Sequence, residues 1–408
     1  MSGAGSAMTE PSPDPGRAQH AYRLVILFGI VAALGDIIYE GGRSVAGPFL
    51  FLLGASAFTV AFVAGFGEFL GYAIRLASGY LADRSKQYWA FVIAGYLMIG
   101  AIPLLVFAGS WEIAACLIIA ERIGKALRSP AKDAILSHAT SSIGRGWGFG
   151  LHEALDQIGA VLGPLLFVGA LAAGGGYRGG FALLAVPFVL LVIALAAAWR
   201  SMPDPFVFET GGNREDLPVQ EIDRRQIRIY LVFSALTMAG FVVFPLLAYH
   251  YKALALIPDA EIPVFYAIAM GVDAVAALAA GRAYDRFGTR VIILIPVIGL
   301  FIPLVAFSAS YPMALAGAVL WGISMGMQES VFRAAVADMT PPGGRGLGFG
   351  IFNTVCGGAW FAGSIAAGAL YMIDPAYAAG FMVLMQALAL VVLVLLVQGR
   401  RDDGGTAG

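Results

Sequence analysis

Charge is what this sequence has least of. Only 12% of its 408 residues are Asp, Glu, Lys or Arg, about half the ~25% of a soluble globular chain. Cysteine is nearly absent. The two residues, Cys116 and Cys356, both lie inside apolar runs, which argues for small packing side chains and against a disulfide or a metal pair. The four histidines, His20, His138, His152 and His250, are scattered along the chain. There is no H-E-x-x-H, no G-x-S-x-G and no cluster of metal ligands, so a polytopic membrane enzyme is disfavoured. A nucleotide-binding motif is missing too, which weighs against ATP-driven pumping. A net charge of −1 points to no particular partner, and neither a cofactor nor a nucleic-acid partner is expected. No short apolar segment with a cleavage site opens the chain, so no signal peptide is expected. Residues 1–21 read instead as a polar, proline-bearing tail without structure.

What the chain does have is apolar length. It is 59% hydrophobic, with a mean hydropathy of +0.82. Twelve apolar runs cover residues 22–46, 57–81, 88–108, 111–134, 147–171, 179–199, 226–250, 262–283, 290–308, 312–337, 347–371 and 377–397. Each is long enough to cross ~30 Å of hydrocarbon as a helix. They are too long, and alternate too poorly, for the strands of a membrane barrel. The fold class expected is therefore an all-α membrane protein with twelve transmembrane helices. The longest polar interruption, residues 201–225, carries Pro203, Pro205, Gly211 and Gly212 and reads as a linker. It divides the chain into halves at 22–200 and 226–398, with a second short tail at 399–408.

The halves repeat each other. Gly144–Gly150 reads GRGWGFG and Gly344–Gly350 reads GRGLGFG, each copy between the fourth and fifth run of its own half. The same shift of 200 pairs Thr140 with Thr340 and Ile123 with Ile323. A second landmark, Gly79-Tyr-Leu-Ala-Asp83-Arg84, returns as Gly281-Arg-Ala-Tyr-Asp285-Arg286, a shift of 202. Two landmarks at nearly one spacing argue for a duplicated six-helix unit, a known transporter plan. As a phosphate loop the heptamer fits poorly, because its glycines alternate and no strand precedes it. Arg17, Arg84, Lys86, Arg145, Arg286, Arg290, Arg345, Arg400, Arg401 and the linker arginines fall on one side of the twelve runs, against Arg178 and Lys252 on the other. By the positive-inside rule both termini and the linker are cytoplasmic.

These landmarks resemble the major facilitator superfamily over residues 22–397. In that family the loop after helix two carries G-x-L-x-D-R-x-G-R/K. Gly79, Leu81, Asp83 and Arg84 match it, with Lys86 where the later glycine belongs; Gly281, Asp285, Arg286, Gly288 and Arg290 keep more of the spacing. The resemblance implies two pseudo-symmetric six-helix bundles, a functional monomer and a cytoplasmic latch in which the arginine pairs across the interface between halves. The bland reading is that Arg84 and Arg286 merely set topology. The family's antiporters carry G-x8-G-x3-G-P-x2-G-G on helix five. Gly150, Gly159, Gly163 and Pro164 match, while Phe167 and Val168 replace the last two glycines. That resemblance implies export by antiport; its rival is a helix-packing face without directional meaning.

Charges inside the spans cost ~2.5–3.5 kcal/mol each at mid-bilayer, so they mark functional candidates. Helix four holds Glu121, Arg122, Lys125 and Arg128, followed by Lys132 and Asp133. At about 100° per residue, Glu121, Lys125, Arg128 and Lys132 share one stripe. Facing lipid, the four charges at 121–128 would cost on the order of 10 kcal/mol, so they must face protein or water. Arg122 matches an arginine that the superfamily places on helix four. Helix five offers His152, Glu153, Asp156 and Gln157, and Glu153 or Asp156 is expected to pair with Arg122, Lys125 or Arg128. Helix one adds Asp36, Glu40 and Arg43; helix two adds Glu68 and Arg75. Away from the span ends, the second half holds only Asp273, Glu329 and Arg333, with Asn353 where the shift would place Glu153. It offers aromatics instead, such as Phe241, Trp321, Trp360 and Phe361.

A division of labour follows, in which the first half titrates and the second supplies apolar contact. Buried ion pairs of purely structural use are the competing account. The expected function is secondary transport by alternating access, with a proton carried by Asp36, Glu40, Glu153 or Asp156 and exchanged for a small organic molecule. The alternative is uptake of an organic anion held by Arg122, Lys125 and Arg128. A channel is less favoured, because duplicated halves suit a rocking carrier. The abundance of arginine (21) over lysine (4) fits a GC-rich bacterial source, and hence a bacterial cytoplasmic membrane.

Overall fold

A computed structural model describes residues 15–140, 145–203, 224–340 and 345–404. Among the described residues every regular element is helical, as hydrocarbon demands of a chain that must satisfy its own backbone. The first half comprises α1 (Pro15–Leu52), α2 (Ala57–Ser85), α3 (Tyr88–Leu97), α4 (Trp111–Thr140), α5 (Arg145–Ala172), α6 (Gly176–Leu183) and α7 (Ala185–Ser201). The second comprises α8 (Arg224–Ala239), α9 (Phe244–Ala253), α10 (Ile262–Phe287), α11 (Leu294–Ala306), α12 (Tyr311–Met327), α13 (Arg333–Met339), α14 (Arg345–Tyr371) and α15 (Pro375–Gly404).

Fifteen segments make twelve crossings because several spans are broken by their own sequence. Past Gly100 and Pro103, the third continues from α3 through two 3₁₀ turns, Met98–Ala101 and Pro103–Phe107. The sixth is α6 plus α7. In the seventh, α8 and α9 meet at a non-helical break over residues 240–243, with Pro245 at the start of α9. The ninth enters through a 3₁₀ turn, Gly288–Ile293, before α11. A π-helical turn, Gln328–Phe332, joins α12 to α13 in the tenth. Nine helical stretches among the described residues are long and apolar enough to cross a membrane, and one of them, Ile262–Ala306, is 45 residues long. It folds back between α10 and α11 as two crossings. The charge-bearing α4 and the α12–α13 span complete the twelve.

Three expectations need correction. Helix α1 begins at Pro15 and α15 reaches Gly404, so parts of both expected tails are helical; residues 1–14 and 405–408 lie outside the described residues, as do 204–223 of the expected linker. Arg145–Gly150 and Arg345–Gly350 form no loop: they are the first turns of α5 and α14. Four glycines in seven residues are poor helix formers, but tertiary packing of the amphipathic remainder overrides that preference. Gly144 and Gly344 lie outside the described residues.

Each half has its own hydrophobic core. One gathers Phe28, Ile38, Phe49, Trp89, Tyr96 and Phe181; the other gathers Phe233, Phe244, Tyr266, Trp321, Phe332 and Trp360. Two symmetry-related seams join them, α2 against α14 and α5 against α10. The duplication is visible in one backbone contact. Gly163 of α5 lies on the backbone of α1 at Ile37 and Gly41, and Gly363 of α14 lies on the carbonyl of Ala239 in α8. A methyl group at either position would run into a neighbouring backbone, so only glycine allows this approach.

The two halves close on each other where α1 ends. Gly47 abuts Pro245 and Tyr249, and Gly65 abuts Ser364 and Phe361. The Phe51 and Tyr249 rings meet edge to face at 5.2 Å. Toward the opposite end the halves part around a cavity.

Candidate functional site

The cavity has a volume of about 380 Å³ and is lined mainly by α1, α2, α4 and α5, with Met270, Met325, Glu329 and Arg333 from the second half. It reaches exposed Asp133 and Arg333, residues that the 200-residue shift makes equivalent. The cavity is thus shut where α1 ends and open where α1 begins.

Glu68 of α2 is the hub of its deep end. Its carboxylate lies 3.0 Å from Arg43 of α1 and 3.2 Å from Arg122 of α4. Arg43 also stands 3.8 Å from Glu40. The Tyr39 hydroxyl accepts hydrogen bonds from Arg122 and, at 3.2 Å, from Arg43. The Tyr39 ring has Lys125 Nζ 4.0 Å and the Arg122 guanidinium 4.3 Å from its centre, a cation–π arrangement that holds two cations with one neutral group. Glu40 accepts a hydrogen bond from Tyr266 of α10, a link between the halves. Nearer the mouth, Lys132 Nζ lies 2.9 Å from His152 Nε2.

Among the described residues, Asp156 of helix five does not pair with Arg122, Lys125 or Arg128 of helix four. Arg122 pairs with Glu68, and Arg128 pairs with Glu121 at 3.6 Å while donating to the Gly95 carbonyl at 3.5 Å. The shared stripe on α4 parts, because long side chains at its edges lean to either side. Glu121 and Arg128 turn toward α3, and Lys125 and Lys132 turn into the cavity. Asp36 of α1 and Asp156 of α5 both line the cavity. Among the described residues neither aspartate has an ion-pair partner within 4.0 Å. Glu153 belongs to α5, but its side chain lies outside the described residues.

In the second half, Glu329 sits in the π turn and, with Arg333, lines the cavity. Asp273 is fully buried on α10, where Gly326 packs on its backbone, away from the cavity wall. The aromatics expected at the cavity serve mostly to fix the break in the seventh span. Trp321 donates to the Val242 carbonyl and Trp360 to the Phe241 carbonyl, both at 2.8 Å, and Phe241 stacks on Trp321. They satisfy backbone groups that a broken helix would leave orphaned in hydrocarbon.

The expected latch residues make local contacts. Tyr88 donates to Asp83 at 2.8 Å, and Arg84 donates to the Tyr80 hydroxyl at 3.3 Å, all within the first half. Arg286 lies over the Phe287 ring at 5.3 Å, and Asp285 is exposed. Gly79 faces Pro130 of α4 and Gly281 faces Ser330 of the π turn, equivalent close contacts in the two halves. On α5, Gly159 and Gly163 pack on α1 and Pro164 lies within the helix; Gly150 lies in its first turns. Sequence reasoning missed Tyr39, Tyr72 and Tyr266. Their signal was position alone, since Tyr39 stands between Asp36 and Glu40 and Tyr72 between Glu68 and Arg75.

Two six-helix bundles around a charged cavity, shut at one end, define a membrane carrier. The family model described as Major Facilitator Superfamily matches residues 32–258 and 229–407, and the chain belongs to that family. An uncharacterized protein of Mycobacterium tuberculosis is 40% identical over 382 residues, covering 92% of this chain and 93% of that protein. An uncharacterized transporter of the same family type from Methanocaldococcus jannaschii is 25% identical over 366 residues, covering 86% and 89%. Among solved structures, nucleoside transporter NupG superposes with a TM-score of 0.69 at 13% identity, covering 92% of this chain and 98% of that one. Peptide transporter POT in complex with sulfate superposes with a TM-score of 0.70 at 15% identity, covering 93% and 94%. At such identities these two likenesses speak to fold alone. The protein is a membrane-embedded secondary transporter of small molecules, not an enzyme.

Proposed function

We propose that this transporter exports a small organic molecule in exchange for protons, by alternating access, in a bacterial cytoplasmic membrane with both termini cytoplasmic. The observation that carries the reading is the Asp36–Asp156 pair. Several other deep charges are engaged: Glu68 holds two arginines, Glu121 holds Arg128, and Tyr39 takes up Lys125. Two carboxylates on one cavity wall, neither within 4.0 Å of a cation among the described residues, are eased by taking up a proton. Proton uptake there frees Lys125 from its attraction to Asp36 and changes the charge of the α1–α5 seam. Glu40 and Glu153 are the reserve carriers, the first because its carboxylate already joins the halves through Tyr266. The matches at Gly159, Gly163 and Pro164 support antiport by resemblance. The cation-rich end of the helices, where the cavity opens, supports a cytoplasmic mouth. Anion capture by Arg122, Lys125 and Arg128 is the weaker reading, because Arg122 and Arg128 already have carboxylate partners and Lys125 lies on Tyr39.

The test is proton movement in everted vesicles, challenged with lipophilic cations, neutral drugs and organic anions. The reading expects at least one compound to dissipate the proton gradient only when the protein is present. It expects Asp156→Asn and Asp36→Asn to lose that response at unchanged expression, with Glu153→Gln run beside them. A panel in which every compound leaves the gradient untouched, but labelled substrate still exchanges by counterflow, would replace antiport by uniport.

A further inference from the structure

A second pocket opens off the charged cavity and has a different chemistry. Its volume is about 230 Å³, and it shares Tyr72, Arg75, Met325, Glu329 and Arg333 with the cavity. Beyond those shared residues its wall is aromatic: Phe332, Phe349, Phe352 and Trp360. Phe332 and Phe352 meet edge to face at 6.0 Å. Cys356 of α14 completes the wall.

Arg75 stands where the two spaces meet. Its guanidinium lies over the Tyr72 ring at 5.4 Å. Its Nε is buried without a hydrogen-bond partner, and among the described residues no carboxylate lies within 4.0 Å of it. The other deep arginines, Arg43, Arg122 and Arg128, each have an acid partner. An arginine left with an unsatisfied buried donor costs free energy that a bound acceptor would return. The buried Gln328 side chain adds an unpartnered acceptor, Oε1, and Asn353 adds a further amide to the wall.

We propose that this pocket binds the transported molecule, and that the molecule is a flat aromatic organic anion. Its ring lies among Phe332, Phe349, Phe352 and Trp360, and its carboxylate, or an equivalent planar anion, accepts from Arg75. Glu329 and Phe332 belong to the π turn, stand three residues apart and line this pocket together. Arg75 and Arg333 against Glu329 leave the lining one positive charge in excess, which favours a single negative charge. The proposal rests on the transport reading above and assigns its substrate class, but binding is measurable without a gradient, so the two fail separately.

The probes are 1-naphthoate, its uncharged counterpart 1-naphthalenemethanol, and the aliphatic anion decanoate. The protein is full length, in nanodiscs, in a Cys116→Ser background that leaves Cys356 as the single thiol. Two readouts are taken: equilibrium binding of labelled 1-naphthoate, and its slowing of Cys356 alkylation by N-ethylmaleimide. The expected result is saturable binding with protection of Cys356, at least tenfold weaker for the alcohol and for decanoate. Arg75→Gln is expected to weaken naphthoate at least tenfold and leave the alcohol unchanged. Arg75→Lys is expected to restore part of the loss, and Phe349→Ala to weaken naphthoate and the alcohol alike. An unliganded alkylation rate in each variant equal to that of the parent establishes that the pocket is folded. Equal protection by all three probes, or undiminished naphthoate binding in a folded Arg75→Gln, overturns the proposal. Binding that persists while no probe moves protons in vesicles would sink the antiport reading and leave this site standing.

Discussion

Tyr266 of α10 donates its hydroxyl to the carboxylate of Glu40 on α1, so one buried hydrogen bond ties the second half to the ion network of the first. Glu40 in turn stands beside Arg43, which Glu68 links to Arg122 of α4. A change of charge anywhere along that path reaches the contact between the halves. Tyr266→Phe removes only the hydroxyl. A hydrogen bond to a charged group contributes roughly 1.5–3 kcal/mol, so the ratio of the arrangement closed where α1 ends to the open one is expected to fall by roughly ten- to a hundredfold. Spin labels at exposed Leu52 and Leu254, in different halves at that end, would report the change as a longer distance. An unaltered distance distribution would mean that the bond merely accompanies closure.

Glu68 neutralises two buried guanidiniums at once, so its removal is costlier than that of a paired surface acid. Leaving one buried charge unpartnered costs about 3–5 kcal/mol. Glu68→Leu is expected to lower the melting temperature in detergent markedly, and Glu68→Leu with Arg43→Leu to recover part of the loss. A double variant as unstable as the sum of the singles would show that Arg43 is held by Tyr39 and Glu40 rather than by Glu68.

The ring of Tyr39 is separable from its hydroxyl. Tyr39→Phe keeps the face that Lys125 and Arg122 occupy and removes the acceptor that Arg43 and Arg122 share. A loss of about 1–2 kcal/mol is expected. Tyr39→Leu removes the ring as well and should cost roughly another 0.5–2 kcal/mol, since cation–π attraction is strongest where water is excluded. Urea or thermal titration of the two variants in parallel separates the contributions.

The architecture was legible because it follows from length, apolar runs and repeats, all of which are one-dimensional quantities. Twelve runs and two landmarks 200 residues apart place the helices and their duplication. Pairing within the cavity was not legible, because a helix stripe says which side chains share a face and not which neighbour they lean toward. Helix five follows helix four in the chain and offered Arg122 its acids; the packing of α2 against α4 brings Glu68 to it. Aromatic roles were hidden for a related reason. Trp321 and Trp360 are fully buried donors whose acceptors exist only because the seventh span breaks at 240–243. The heptamers, in turn, read as loops by composition and fold as helix starts by packing.

Glycine contacts within a half and between halves predict opposite outcomes. Gly163 touches α1 inside the first bundle, and an added methyl group would meet the backbone of Ile37 and Gly41. The bundle cannot relieve that clash by rocking. Gly163→Ala is therefore expected to destabilise the fold by roughly 1–3 kcal/mol, seen as a lower melting temperature. Gly47 touches Pro245 and Tyr249 across the interface, where an added methyl group would meet backbone just as closely. Here the halves can part. Gly47→Ala is expected to leave the melting temperature nearly unchanged and to shift the Leu52–Leu254 label distance toward the open arrangement, because the clash belongs to one state alone. If Gly47→Ala unfolds the protein as Gly163→Ala does, the seam between α1 and α9 is part of the permanent core rather than a gate.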